Sequence, residues 1–419
     1  MRIILTLLFT GYFLISGLAF GQITLDSCQQ KARANFPLIK QFALIEQSKE
    51  FSLSNANKNF LPQLDITLIG GVINGLPSLS PPSGGEPSSY TAFNMISLVQ
   101  LNQPLWDGGI TKASKAVIEA SSNMETADLE VSLYSLEERV NNLFFGTLLI
   151  DEQIAQLEIL KGTLQRNMQR VEVAVENGTA FKSDIDELKV EVINTEQRME
   201  ELNFNRSAYL NMLAAMIGEP IASDAMLARP VLDNSFLNQG INRPELTLFQ
   251  NHEALIEAQS KIDKAIMYPK VGIMGIGTFI QPGVDFGAST LNNILVGGLS
   301  VNWSLSSLYR NNNNKKLTGI KLQQVQNQRE TFLFNTDLML TQTRLELEKY
   351  QKLIAQDKEL LELKSSIKKS YDVKYENGVS TMSQLLDKVN DESLAKQNLV
   401  VHELQYLMKA YQYKNKSGN

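Results

Sequence analysis

Two histidines, His252 and His402, and one cysteine, Cys28, are all the imidazole and thiol chemistry in a chain of 419 residues. Two imidazoles so far apart in sequence offer no pair for a metal, and a single thiol excludes an intramolecular disulfide and every cysteine-rich zinc module. No Ser-His-Asp order, nucleophile elbow or phosphate loop is present, so an enzyme is the weakest reading and no catalytic residue is assigned. The glycine-rich stretch Gly272-Ile273-Met274-Gly275-Ile276-Gly277 lies inside a predicted strand and lacks the Lys-Ser/Thr that phosphate binding requires. Thirteen methionines are scattered without a paired Met-x-x-Met tract that would favour copper or silver export. No cofactor is expected.

The chemistry that is missing turns attention to scaffolding. Gly and Pro together are scarce, 25 and 12 residues, which argues for extended regular structure, and a net charge of -6 gives no reason to expect nucleic acid. Met1-Arg2 followed by the apolar run Ile3 to Phe20 and the small residues Ala19 and Gly21 reads as a signal peptide over residues 1–21, cleaved before Gln22. Cys28 follows Leu25-Asp26-Ser27, which is no lipobox, so the thiol is expected to pack in the first helix. No later stretch reaches the roughly 18 apolar residues a membrane helix needs. Any membrane crossing by this exported chain must be made of strands.

The mature sequence is written twice. Asn35-Phe36-Pro37-Leu38 recurs as Asn242-Arg243-Pro244-Glu245, and Phe60-Leu61-Pro62 as Met267-Tyr268-Pro269. Asn102-Gln103-Pro104-Leu105 recurs as Asn302-Trp303-Ser304-Leu305, and Glu176-Asn177-Gly178 as Glu376-Asn377-Gly378. The four landmarks keep one order. They divide the chain into a first repeat over 22–218, a connector over 219–242, a second repeat over 243–413 and a tail over 414–419.

Each repeat opens with a helical run, Asp26 to Asn59 or Pro244 to Met267, that stops at a proline. Two strand candidates follow, 63–74 and 91–105, then 270–280 and 293–305. A long helix comes next, 108–176 in the first repeat and 312–376 in the second, with Asn311 to Asn314 read as a polar loop capping the latter. Val140, Leu143, Thr147, Ile150, Ile154, Leu157, Leu160, Leu164, Met168, Val171 and Val175 recur close to a 3.5 period, a coiled-coil seam. In the second copy the seam is Leu338, Leu345, Leu353, Leu360, Leu363 and Ile367. Each Asn-Gly turn then starts a last helix, 180–217 or 380–413. Phe60, Tyr90, Phe93, Trp106, Tyr268, Phe279 and Trp303 cluster near strand ends as girdle candidates, with core packing an equal contender. Four strands do not close a membrane barrel, so the chain must oligomerise; two copies or three satisfy the count.

These features together resemble the TolC family of outer membrane efflux proteins: the leader, the two Asn-x-Pro helix starts, the proline-terminated helices before strand pairs and the two Glu-Asn-Gly turns. The resemblance spans Gln22 to about Tyr413. It implies a mainly α fold with a β-barrel portion, each duplicated half having two membrane strands, one very long helix and two shorter ones. It implies a homotrimer, whose 12-stranded barrel in the outer membrane of a Gram-negative bacterium continues as a periplasmic α-helical barrel. Its partners would be a periplasmic adaptor, an inner-membrane pump of the RND or ABC type, and outer-membrane lipid. The turns Asn177, Gly178, Thr179 and Asn377, Gly378, Val379 would be where the adaptor touches. Carboxylates six and nine residues beyond the turn glycine would narrow the periplasmic entrance; those places hold Asp184 and Glu187, then Gln384 and Asp387, so the second half departs from an all-Asp pattern. The competing expectation is a secreted or periplasmic coiled-coil scaffold without channel activity.

Overall fold

The computed structural model describes residues 23–73, 92–232, 239–281 and 292–419. The predicted leader, 1–21, and Tyr90 lie outside the described residues. The elements are α1 (Leu25–Asn35), a 3₁₀ turn (Pro37–Lys40), α2 (Gln41–Lys58), β1 (Gln63–Ile73), β2 (Ala92–Trp106), α3 (Ile110–Glu176), α4 (Lys182–Ile217), α5 (Pro244–Ala265), β3 (Lys270–Gln281), β4 (Asn292–Asn302), α6 (Ser306–Glu376) and α7 (Met382–Ser417). They fall into two compact units. One holds residues up to Lys40, Glu130–Pro244 and Thr331–Asn419; the other holds Gln41–Leu129 and Glu245–Glu330.

Three sequence expectations about element boundaries need correction. The opening helical run of the first repeat is broken, because Phe36 takes φ -65° and ψ 129° ahead of Pro37, whose ring crowds the residue before it out of the helical region. Asn311 to Asn314 are not a capping loop; they lie inside α6, which starts at Ser306. Asparagine is a poor helix former, but its cost is a few tenths of a kcal/mol per residue, small enough for a 71-residue helix to absorb. The tail is not separate either. α7 runs on to Ser417, and Gly418 closes it with φ 82° and its N–H on the carbonyls of Lys414 and Asn415.

The first unit is held by narrow apolar seams. Leu136, Val140, Leu143 and Phe144 of α3 pack with Cys28 and Ala32 of α1, Leu213 and Ile217 of α4, and Leu404 and Leu407 of α7. Burial pushes the Cys28 thiol up to about 11, which keeps it neutral and apolar. Further along, Leu157, Leu160, Leu164 and Val171 of α3 meet Leu188 of α4 and Met382, Leu385, Leu386 and Val389 of α7. Every member of the predicted α3 seam is buried or half-buried. The predicted α6 seam is misplaced within the single chain: Leu338, Leu345, Leu360, Leu363 and Ile367 are exposed, whereas Leu340 and Leu347 pack with Ala410 and Tyr413 of α7, and Thr336 and Thr343 are buried. A 3.5 period marks a stripe without saying what covers it.

The second unit contains the sheet, antiparallel throughout and ordered β1-β2-β3-β4. The two predicted hairpins are therefore joined by direct pairing of β2 with β3, one strand from each repeat. β1 and β4 are its edges.

Candidate functional site

Pairing register decides what each face of the sheet presents. Directly opposed residues of an antiparallel pair project to the same side. One row runs Leu64, Leu101, Gly275, Gly297, and the next runs Ile66, Val99, Gly277, Leu295. Ile273 opposite Leu299 and Val271 opposite Val301 extend that face. It is mostly apolar, interrupted on β2 by Gln103 in the row of Ile273 and Leu299 and by Ser97 in the row of Leu68 and Phe279. The opposite face carries Gln63, Asn102 and Met274 in one row and Asp65, Gln100, Ile276 and Val296 in another, with Ser300, Asn302 and Lys270 near the helix end. Once four strands are in register, the poor alternation of the single strands becomes a division between a mostly apolar face and one that is polar toward the helix end and apolar further along, at Ile69, Ile96 and Leu98. Ile66, Leu68, Leu295, Leu299 and Val301 are all exposed in the single chain. Both edges of the sheet are unpaired among the described residues.

Four of the strand-end aromatics sit outside the core. Phe60, Trp106, Tyr268 and Trp303 are exposed, with the Trp106 and Tyr268 rings 6.5 Å apart and the Trp303 indole N–H donating to the Met267 carbonyl at 3.0 Å. Phe279 is half-buried.

In the first unit, the two Asn-Gly turns have almost the same hydrogen bonds. Gly178 at φ 73° and Gly378 at φ 69° take the left-handed conformation that lets a helix stop, a place where a side chain would be strained. Thr179 N–H donates to the Ala174 carbonyl at 2.8 Å, and Val379 N–H to that of Lys374 at 2.8 Å. The Asn177 and Asn377 side-chain amides donate to the carbonyls of Val173 and Val373 at 2.9 and 2.7 Å. Each asparagine thus satisfies a helix-end carbonyl, and the turn conformation explains why Asn-Gly stands in both copies.

The four gate candidates divide into two kinds. Asp184 accepts from the Phe181 backbone N–H at 3.0 Å, and Gln384 accepts from that of Thr381 at 3.2 Å; both occupy the third helical position and close the helix start. Glu187 and Asp387, one turn on, are exposed. The two caps differ in a way the sequence reading missed. Thr381 completes its box by accepting from Gln384 N–H at 3.3 Å, whereas Phe181 has no side-chain acceptor to offer and leaves its ring 77% exposed. The signal was available: an aromatic residue stands three places before Asp184, where the other copy has threonine.

Between the turns is a groove of about 510 Å³ lined by Arg170, Thr179, Phe181, Asp184, Tyr375 and Thr381, among others. Arg170 pairs with Glu376 at 3.6 Å and ties α3 to α6 there. Burial, and then the charge of Asp184, push the Tyr375 hydroxyl above its ordinary range, so it stays a neutral donor. Among the described residues no group of three or more His, Cys, Asp or Glu side chains is placed to hold a metal.

No family model matches the sequence, and no curated protein matches it either. Solved structures do. The outer membrane protein VceC from Vibrio cholerae is 13% identical with a TM-score of 0.67, covering 94% of this chain and 96% of its own. The MtrE outer membrane channel of Neisseria gonorrhoeae, in an open state, is 15% identical with a TM-score of 0.63 over 94% and 88%. The CmeC outer membrane channel of Campylobacter jejuni is 14% identical with a TM-score of 0.58 over 94% and 85%. The chain has the TolC-type outer-membrane channel fold. The likeness covers 94% of this chain and from 85% to 96% of each of these neighbours.

Proposed function

We propose that three copies of this chain form a channel in the outer membrane of a Gram-negative bacterium, the four strands of each contributing to a 12-stranded barrel that continues as a periplasmic helical barrel. The observation that carries the reading is the sheet: one largely apolar face, an opposite face that is polar near the helices, and two edges unpaired among the described residues. Hydrocarbon tolerates no open edge, so such a sheet is stable in a bilayer only when copies join β1 to β4 and close it, apolar face outward. The exposed stripe Phe334, Leu338, Leu345, Leu360, Leu363 and Ile367 on α6 supports the same conclusion, as do Val190, Ile193, Phe204 and Met212 on α4. Each is a seam lacking its partner helix, and a neighbouring copy supplies one.

The channel passes substrates delivered by a periplasmic adaptor and an inner-membrane pump of the RND or ABC type. The adaptor meets the turns Asn177-Gly178-Thr179 and Asn377-Gly378-Val379 and the groove between them, where Phe181 and Val379 are the exposed apolar side chains. Of the gate candidates, Glu187 and Asp387 are the pair left unengaged by caps and would form carboxylate rings; Asp184 and Gln384 would support the entrance through the helix starts. The test is direct. The protein should fractionate with the outer membrane, run in detergent as a heat-sensitive trimer and conduct in planar bilayers. A soluble monomer without conductance refutes the channel and leaves the secreted scaffold.

A further inference from the structure

The distribution of charge next to the sheet is at odds with the chain as a whole. The chain is acidic, with net charge -6. Within ten residues outside the four strand ends that adjoin helices, however, stand six basic side chains, Lys58, Lys112, Lys115, Lys261, Lys264 and Arg310, against two acids, Asp107 and Asp263. Asp107 is engaged as a cap, accepting from the N–H groups of Gly109 at 2.9 Å and Thr111 at 2.6 Å. None of the six cations forms an ion pair among the described residues. Beyond them α6 goes on with Lys315, Lys316 and Lys321 and reaches no acid before Glu330.

Depth gives this band a meaning. A tilted strand of about 9–11 residues spans the hydrocarbon core. With β1 at 11 residues, β3 at 12 and β4 at 11, and β2 running a few residues longer at 15, the strand ends that adjoin helices fall near where the acyl chains stop. The flanking ten residues, mostly helical, extend on the order of 15 Å further, about two Debye lengths at physiological salt, so the basic side chains nearest the strand ends feel the headgroup charge most. Exposed Trp106, Tyr268, Trp303 and Tyr309 share this level, and Trp106 is in register with Val271 on the apolar face. Aromatic rings settle at the interface, and lysine stems lie along apolar surface with the ammonium reaching for phosphate.

We infer that the segments adjoining the sheet form a belt that binds anionic phospholipid headgroups in the leaflet facing the periplasm, with Lys112, Lys115, Lys264 and Arg310 as its core. Lys270 is left out of the belt because its register places it on the polar face. The inference rests on the channel reading, and the experiment separates the two.

Full-length protein is mixed with vesicles of phosphatidylethanolamine, either alone or with phosphatidylglycerol making up a quarter, and floated; lipid retained by the oligomer after detergent extraction is then counted by native mass spectrometry. Phosphatidylglycerol should be retained well beyond its share of the mixture, and the excess should vanish as salt is raised. Each cation removed should weaken retention about fivefold. The combined Lys112→Gln, Lys115→Gln, Lys264→Gln and Arg310→Gln variant should therefore lose it, while Lys189→Gln with Lys352→Gln, Lys358→Gln and Lys369→Gln keeps it. Failure to float with either vesicle sinks the channel reading itself. Flotation with equal retention of the two lipids by wild-type protein overturns the belt, whether or not the variant folds. So does a variant that alters the ion selectivity of the pore but not lipid retention, since its charges would then line the conduit.

Discussion

Replacing Phe181 by threonine tests whether the uncapped helix start is a cost tolerated for docking. The other repeat supplies the template: there Thr381 accepts from Gln384 N–H at 3.3 Å while the Gln384 side chain returns a bond at 3.2 Å. In the first repeat only the return bond exists, from Phe181 N–H to Asp184 at 3.0 Å. Phe181→Thr adds the missing acceptor at a position whose backbone, φ -100° and ψ 153°, already suits a cap. A hydroxyl at a helix start is worth about 1 kcal/mol, within a range of roughly 0.5–2. In a chain of this size that raises the melting temperature by about 1–2 °C, whatever the number of copies, since stabilisation and unfolding entropy scale together. The ring it removes is 77% exposed, so folding loses almost no buried surface. Docking behaves oppositely, because burying a phenyl against a partner is worth about 1.5–3 kcal/mol, or roughly tenfold or more in affinity. Melting of the detergent-solubilised oligomer and adaptor binding by surface plasmon resonance are the two assays. A variant more stable than wild type that binds adaptor at least tenfold more weakly is the expected outcome. Unchanged affinity would refute the reasoning, and lost stability would show that the ring packs in the oligomer.

Four further outcomes follow from the same geometry. Gly378→Val should strain a turn held at φ 69°, costing about 1–2 kcal/mol or more, and abolish export while the trimer still forms on gels. Leu345→Glu should leave a helical monomer by circular dichroism but no heat-sensitive trimer, because it charges an exposed stripe whose side chains are each worth about 1.5–3 kcal/mol when covered. Asp387→Asn should reduce cation selectivity in single-channel recordings more than Asp184→Asn, whose carboxylate is committed to the Phe181 N–H and whose loss should appear in thermal melts instead. Acid should loosen the pairing of α6 with α7. A hydrogen bond from Lys364 at 2.9 Å holds the Asp391 carboxyl below its usual range, and one from Lys409 at 2.7 Å does the same for Glu346. A depressed folded-state value gives stability that is present above the ordinary carboxylate range and lost as pH falls through the folded one. Proteolysis of α7 should therefore rise below about pH 4 and be unchanged between neutral and mildly acidic pH. Lys364→Met should flatten that acid dependence.

Much of the architecture could be read from local rules. The duplication, the proline stops, the Asn-Gly reversals and the α3 seam depend on turn chemistry and on a helical period, both properties of residues near one another in the chain. Val140, Leu164 and Val171 recur at the right steps and are buried. The breaks in the reading have local causes too. Pro37 acted on the residue before it, and four asparagines that would favour a loop were carried by the helix around them.

Other matters were decided only by the tertiary structure. β1 and β2 alternate poorly by themselves, and nothing in either predicts that β2 pairs with β3; the row Leu64, Leu101, Gly275, Gly297 exists because hydrogen bonding between distant segments sets the register. A one-residue slip would exchange the two faces, so the sidedness of the sheet is a long-range fact. The α6 stripe shows the same limit, since Leu338 and Leu345 have the spacing of a seam and yet face away from the chain that carries them. Asp184 and Gln384 look like gate positions when counted from a glycine, and the fold binds both to their own helix starts. Sequence spacing specifies which residues share a stripe or a turn; which surface then covers them, and which backbone group their polar atoms meet, depends on contacts that only the folded chain makes.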